Sequence, residues 1–361
     1  MLALGFAALV TGVAAGLARL GWSVPAFAER SAGLHGPLMI CGFFGVVISL
    51  ERAVAIGRLW AYAAPLLAGA GSVLTLAGAL EAAIWLYLAA GIVLLAASLD
   101  VFRRQRALFT FTLAAAAACW PIGTALWAGG AAIHTAASWW LAFLVLTIAG
   151  ERLELSRFMP PSRSAQAAFA AILVLLLAAL AAGERGWAGT VFGGGLLLLS
   201  AWLLRHDIAR RTVRKEGLTR FIAICLLSGY AWLTVGGAIV VAAGGLVPGG
   251  AAYGAALHAL SLGFVFSMVF GHAPIIFPAV LRVDVPYRRW FYLPLALLHL
   301  SLATRLAGDA TGVFDLVRVG GLLNALALAT FIAGTAAAVA LGPPGRRAER
   351  AARRRQRPPQ P

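Results

Sequence analysis

Residues 250–271 read GAAYGAALHALSLGFVFSMVFG, a stretch with no charged side chain and one histidine, His258. As a helix rising 1.5 Å per residue it would be about 33 Å long, close to the thickness of a bilayer's hydrocarbon core. It lacks the two-residue alternation that a membrane strand needs. The same ruler, moved outward along the chain, finds eleven more such stretches: 2–19, 33–50, 60–80, 82–99, 107–128, 131–149, 165–182, 187–204, 220–243, 290–307 and 312–341. They are long and rich in Leu and Ala. The expected fold is therefore an all-α polytopic membrane protein of about twelve transmembrane helices.

Composition agrees. Of 361 residues, 61% are hydrophobic and 12% charged, and mean hydropathy is +0.89. A soluble enzyme, a nucleic-acid-binding domain and a disordered scaffold are excluded, because no water-soluble fold hides so much apolar surface. The net charge of +16 has another source, since 24 of the 29 basic residues lie in the loops after even-numbered spans or beyond residue 345. By the positive-inside rule those loops and both termini face the cytoplasm, as expected for a bacterial inner membrane. The bilayer, with its anionic inner leaflet, is the expected partner, not nucleic acid. The chain divides into a transmembrane domain, 1–342, and a basic tail, 343–361, expected to be disordered. Ala26-Phe27-Ala28 resembles a signal-peptide cleavage site, but no basic residue precedes the apolar run, so 2–19 is read as a retained helix. Cys41, Cys119 and Cys225 stand alone and form no CxxC, zinc or disulfide pattern. There is no CxxCH and no P-loop, so neither covalent haem nor a nucleotide-driven pump is expected.

Ionisable residues inside a membrane are costly and mark function. His35 opens span 2, His134 opens span 6 and His258 lies in the first half of span 10. All three helices run in the same direction and are separated by four spans each. Each also carries a polar inner end: Glu51-Arg52, Glu151-Arg152 and His272, respectively 16, 17 and 14 residues further on. This period suggests three four-helix repeats around a pseudo-threefold axis. Packed in that way the three outer imidazoles converge, and neutral imidazole is a common ligand for metals and haem iron. Were the spans to start level, His35 and His258 would differ in depth by up to roughly 12 Å. His272 and His299 are further candidate metal ligands, and His299 also suits a buried hydrogen-bonding role. Glu51 and Glu151 read either as interfacial charges or as a polar cluster admitting protons.

The segments Gly229-Tyr230-Ala231-Trp232-Leu233, Ala256-Leu257-His258-Ala259-Leu260-Ser261-Leu262-Gly263 and Gly271-His272 resemble, in this order, motifs of the NnrS family. His35-Gly36-Pro37-Leu38-Met39-Ile40-Cys41-Gly42-Phe43 resembles its histidine-rich second helix. The resemblance implies a polytopic protein that binds haem and copper and takes part in bacterial nitric-oxide metabolism. It also implies an organisation similar to subunit I of haem-copper oxidases, where helices 2 and 10 hold a low-spin haem and helices 6 and 7 hold copper. On that footing His35 and His258 would ligate haem b, His134 would lie on the copper helix, and Arg305 and Arg318 would pair with the propionates. Asp315 offers Arg318 a plainer partner. The chain departs from the family pattern where His-Ala-His-Glu is replaced by His35-Gly36-Pro37-Leu38. Span 7 has no histidine, and Thr135 to Ser138 stand in place of the oxidase His-Tyr arrangement. These losses weigh against copper and dioxygen reduction more than against haem. An electron donor or a small gaseous ligand is the implied partner. The competing readings are a proton-coupled secondary transporter, using Glu51, Glu151 and His272, and a cofactor-free structural protein.

Overall fold

The computed structural model describes residues 1–155, 161–183 and 185–342; the basic tail, and Arg157 of the charged loops, lie outside them. Among the described residues, twelve helices are long and apolar enough to cross a membrane. In chain order they are span 1 (Leu2–Arg19), span 2 (Ala32–Ile56), span 3 (Leu59–Leu76), span 4 (Leu80–Arg104), span 5 (Leu108–Ala128) and span 6 (Ile133–Leu155). The second half holds span 7 (Arg163–Ala181), span 8 (Ala188–His206), span 9 (Gly217–Ala242), span 10 (Ala251–Leu281), span 11 (Arg289–Thr311) and span 12 (Phe314–Leu341). The protein is thus an all-α multi-pass membrane protein. Spans 2, 4 and 10 run past the edges expected from hydropathy. Apolarity marks only the part in lipid, whereas the i→i−4 hydrogen bonds continue into polar residues at the ends. Span 10 continues ten residues beyond the expected edge, through Pro274 and Pro278, before Arg282 ends it in a left-handed conformation, φ 55°.

Consecutive spans pack as antiparallel neighbours, and span 12 returns to span 1, closing the ring. The closure is pinned at the arginine-poor side of the protein. Trp22 Nε1 donates to the carbonyl of Arg318 at 3.2 Å, Arg318 Nε donates to that of Leu20 at 2.9 Å, and the Arg318 guanidinium lies 4.8 Å above the Trp22 ring. Span 6 lies deepest, with 72% of its apolar window buried against 33% for spans 1, 7 and 12, and it packs against both spans 2 and 10. These three spans form the centre.

Spans 2 and 10 share an uncommon feature. Each widens into a π-helix soon after its histidine, over Leu38–Phe44 and Ala259–Phe266. Such turns are rare and occur frequently at functional sites. The two stretches pack on one another, with the Phe43 and Phe266 rings parallel to within 2° and 6.0 Å apart. Cys41, Cys119 and Cys225 are buried free thiols, as their isolation in sequence implied.

Candidate functional site

The level of His35 is set by the chain before it. After Arg19 the backbone does not enter span 2 at once. It turns at Leu20, forms the short helix Ala26–Arg30 and a 3₁₀ turn Ala32–Leu34, and delivers His35 beside the middle of span 1. There His35 Nδ1 donates to the carbonyl of Gly12 at 2.6 Å. Gly12 lies roughly 10 Å inside the end of span 1, and His258 is equally far from the start of span 10 at Ala251. The depth offset expected from level starts is therefore absent: the two imidazoles lie side by side, centroids 6.4 Å apart and planes within 9° of parallel.

Their hydrogen bonds fix the tautomers. His258 Nδ1 donates to the carbonyl of Gly254 at 2.7 Å, as His35 does to Gly12. A carbonyl only accepts, so both rings carry their proton on Nδ1 and keep a basic Nε2. This is the second-sphere arrangement typical of metal-binding histidines. The spacing agrees. The two rings are close enough to approach one ligand together, although among the described residues no group of three or more His, Cys, Asp or Glu side chains gathers as for a metal ion.

The pair borders a cavity of about 520 Å³, within the range of cofactor and ligand sites. His134 of span 6 lines the same cavity, so the three histidines spaced by four spans border one space. Arg305 lines it as well, with a buried Nε that has no partner among the described residues. Arg19, Tyr253, Trp140 and Asn324 also line it, with Ser261, Phe44 and Phe266. The Asn324 amide is hydrogen-bonded to the Ser301 hydroxyl across spans 11 and 12. The site is cationic, imidazole-rich and walled by apolar residues.

The other sequence candidates lie elsewhere. His272 is committed at both nitrogens: Nδ1 donates to the carbonyl of Met268 at 2.7 Å, and Nε2 accepts from Arg152 at 3.0 Å. His299 is likewise engaged, accepting from Trp232 Nε1 at 2.9 Å and bonding Ser228 Oγ at 3.0 Å. Arg318 is spent on the ring closure and on Asp315, 3.7 Å away, and does not line the cavity.

A second polar centre lies on the arginine-rich side. Arg152 Nε is 3.2 Å from Asp207 Oδ2, and both side chains are buried, 5% and 2% exposed. Tyr230 donates to the same oxygen at 2.6 Å, and the backbone N–H of Ala209 donates to Oδ1 at 2.7 Å. With His272 this network ties spans 6, 9 and 10 to the loop after span 8. Asp207 was not among the residues singled out in the sequence, and Tyr230 appeared there only within the Gly229–Leu233 motif. The available signal was a lone carboxylate in the basic run from Arg205 to Lys215. Nearby, half-buried Glu51 and Glu151 fall within electrostatic reach of each other and of Arg52 and Glu154.

Fold and site together define a twelve-span membrane protein with a paired-imidazole cavity between spans 2 and 10. Over residues 1–340 the chain matches the family described as Domain of unknown function (DUF8744), and it belongs to that family. Comparison with curated proteins and with solved structures gives no match.

Proposed function

We propose that this protein binds haem b in the cavity, where His35 and His258 would hold it, and serves in membrane redox or nitric-oxide metabolism. The observation that carries the reading is the imidazole pair: 6.4 Å between centres, near-parallel planes and both Nδ1 protons tied to carbonyls. Arg305, with its unpartnered Nε, and Arg19 at the rim supply positive charge for acidic substituents. Held by His35 and His258, a haem would supply one-electron redox chemistry. The chain's own part is to hold the rings in register, exclude water with Trp140 and Phe266, and balance anionic charge. The NnrS-like motifs around His258 point the same way. Copper is less well supported, because span 7 brings no histidine to His134. The test is a reduced-minus-oxidised absorption spectrum of protein purified from haem-replete cells. A b-type signal is expected, and a haem-free protein would return the reading to a transporter or a cofactor-free protein. The transporter reading draws on Glu51 and Glu151, which share one electrostatic cluster.

Two further outcomes are expected. Gly16 of span 1 faces His35, and a Cβ placed on it would come within 2.9 Å of the imidazole Cε1 and Nδ1. Gly16→Val should therefore turn the ring, break its bond to Gly12 and lower bound haem by about 10–100-fold, as loss of second-sphere support commonly does. Haem titration of the apoprotein measures it, and unchanged affinity would count against His35 as a ligand. The second outcome concerns sidedness. The excess of arginine in the loops after even-numbered spans supports the reading that both termini face the cytoplasm of a bacterial inner membrane. Cysteine introduced at Gly130 or Gly249 should react with an impermeant periplasmic reagent, and cysteine at Ser164 or Arg214 should not. The opposite labelling would reverse the orientation.

A further inference from the structure

A second cavity, of about 450 Å³, lies between spans 1, 10 and 12. Its wall is almost wholly apolar and includes Phe6, Phe266, Phe277, Leu281, Phe331 and Val339. From Phe266 to Leu281 it follows span 10 for about 22 Å, compared with about 15 Å for one leaflet's hydrocarbon. The ring closure explains why it is open to the side. Spans 1 and 12 are pinned at Leu20, Trp22 and Arg318, on the arginine-poor side, and the cavity fills the seam between them at the other end. Leu281 and Ile332 on its margin are 46% and 36% exposed.

The arginine-rich end of this seam is charged. The segment that follows span 10 contributes Val283 and Val285 to the wall, and in sequence it carries Arg282, Arg288 and Arg289 with a single carboxylate, Asp284. Arg288 donates through Nη2 to the carbonyl of Gly342 at 2.6 Å, just beyond Ala340 at the foot of the cavity, and its buried Nε has no partner among the described residues. An apolar slot longer than one leaflet, with basic residues in the segment at its arginine-rich end, matches one kind of molecule. We propose that this seam is a binding site for an anionic phospholipid, with an acyl chain in the slot and the phosphate at Arg282 and Arg288. Basic pockets between helices on the cytoplasmic side recognise such headgroups. Other occupants fit less well. A helix of a second copy, about 10–12 Å across, would fill this volume with about one turn. The chain's own residues 343–361 carry seven arginines and no large apolar side chain, so they add positive charge instead of filling the slot. The proposal rests on the membrane reading of the twelve spans and is independent of haem.

The experiment is native mass spectrometry of the full-length protein, delipidated in detergent and titrated with phosphatidylglycerol or phosphatidylcholine of identical chains. One phosphatidylglycerol should be retained at least tenfold more tightly than phosphatidylcholine. Arg288→Gln should remove most of that preference, and Ala336→Trp, which fills the slot, should remove retention of both lipids. Arg214→Gln, in a basic loop away from the seam, should change neither. Equal retention of the two lipids by wild type would overturn the proposal without any variant. So would a preference that survives both Arg288→Gln and Ala336→Trp, because it would place the lipid elsewhere on the basic surface. Should Ala336→Trp not fold, Val339→Ser serves in its place, with weakened retention expected and unchanged retention overturning the assignment.

Discussion

Protein carrying His258→Ala is expected to lose the b-type haem spectrum of the wild type, and His35→Ala to do the same. Each variant leaves one imidazole of the pair, so a bound haem would lose one of the two rings proposed to hold it, and the cavity gains a void where the ring stood. The neighbouring donors are carbonyls of Gly12 and Gly254, freed by the substitution and too weakly basic to replace a neutral imidazole. Retained haem should fall by more than tenfold in both variants. His134→Ala should keep the signal, because His134 lines the cavity from span 6 and is not part of the parallel pair. Full retention of haem by His258→Ala would refute the ligand assignment even if the wild type is haem-loaded.

The second large effect is expected on stability. Asp207→Ala leaves the Arg152 guanidinium buried with its carboxylate removed, and it also orphans the Tyr230 hydroxyl and the Ala209 N–H. Removing one partner of a buried ion pair typically costs about 3–5 kcal/mol, far more than the net worth of the intact pair. A large drop in the thermal midpoint of the detergent-solubilised protein should follow. The double variant Asp207→Leu with Arg152→Met should recover the part of the loss due to the buried unpaired charge, while the Tyr230 hydroxyl, the Ala209 N–H and His272 Nε2 stay without these partners. If Asp207→Ala were as stable as wild type, the network would not lock spans 6, 9 and 10 together.

The two candidate centres were unequally legible in the sequence. His35, His134 and His258 stood out because an ionisable group in an apolar run is conspicuous without any knowledge of packing. Their meeting in one cavity was foreseeable from the four-span period. Gly12 and Gly16 were not legible as site residues, since each is one glycine among 41 and its role depends on the imidazole it faces. Arg152, Asp207 and Tyr230 come from three separate regions of the chain, and no periodic pattern links them. For His272 and His299 the sequence identified an ionisable side chain, but only the packed structure revealed the protein partners that occupy both nitrogens.

The sequence by itself determined the number of spans and the asymmetry of basic charge between the two sides, because transfer into lipid is decided residue by residue over about 20 positions. It also determined which spans carry imidazoles. The depth and pairing of those imidazoles were decided only in the tertiary structure. They depend on the inward dip of residues 20–34, on the matched π-turns of spans 2 and 10, and on a carbonyl of span 1 that is 23 residues from the ring it holds. A hydropathy pattern records that a helix is buried in lipid. It does not record the rotation or the height at which two helices meet, and those are set by packing against every neighbour at once.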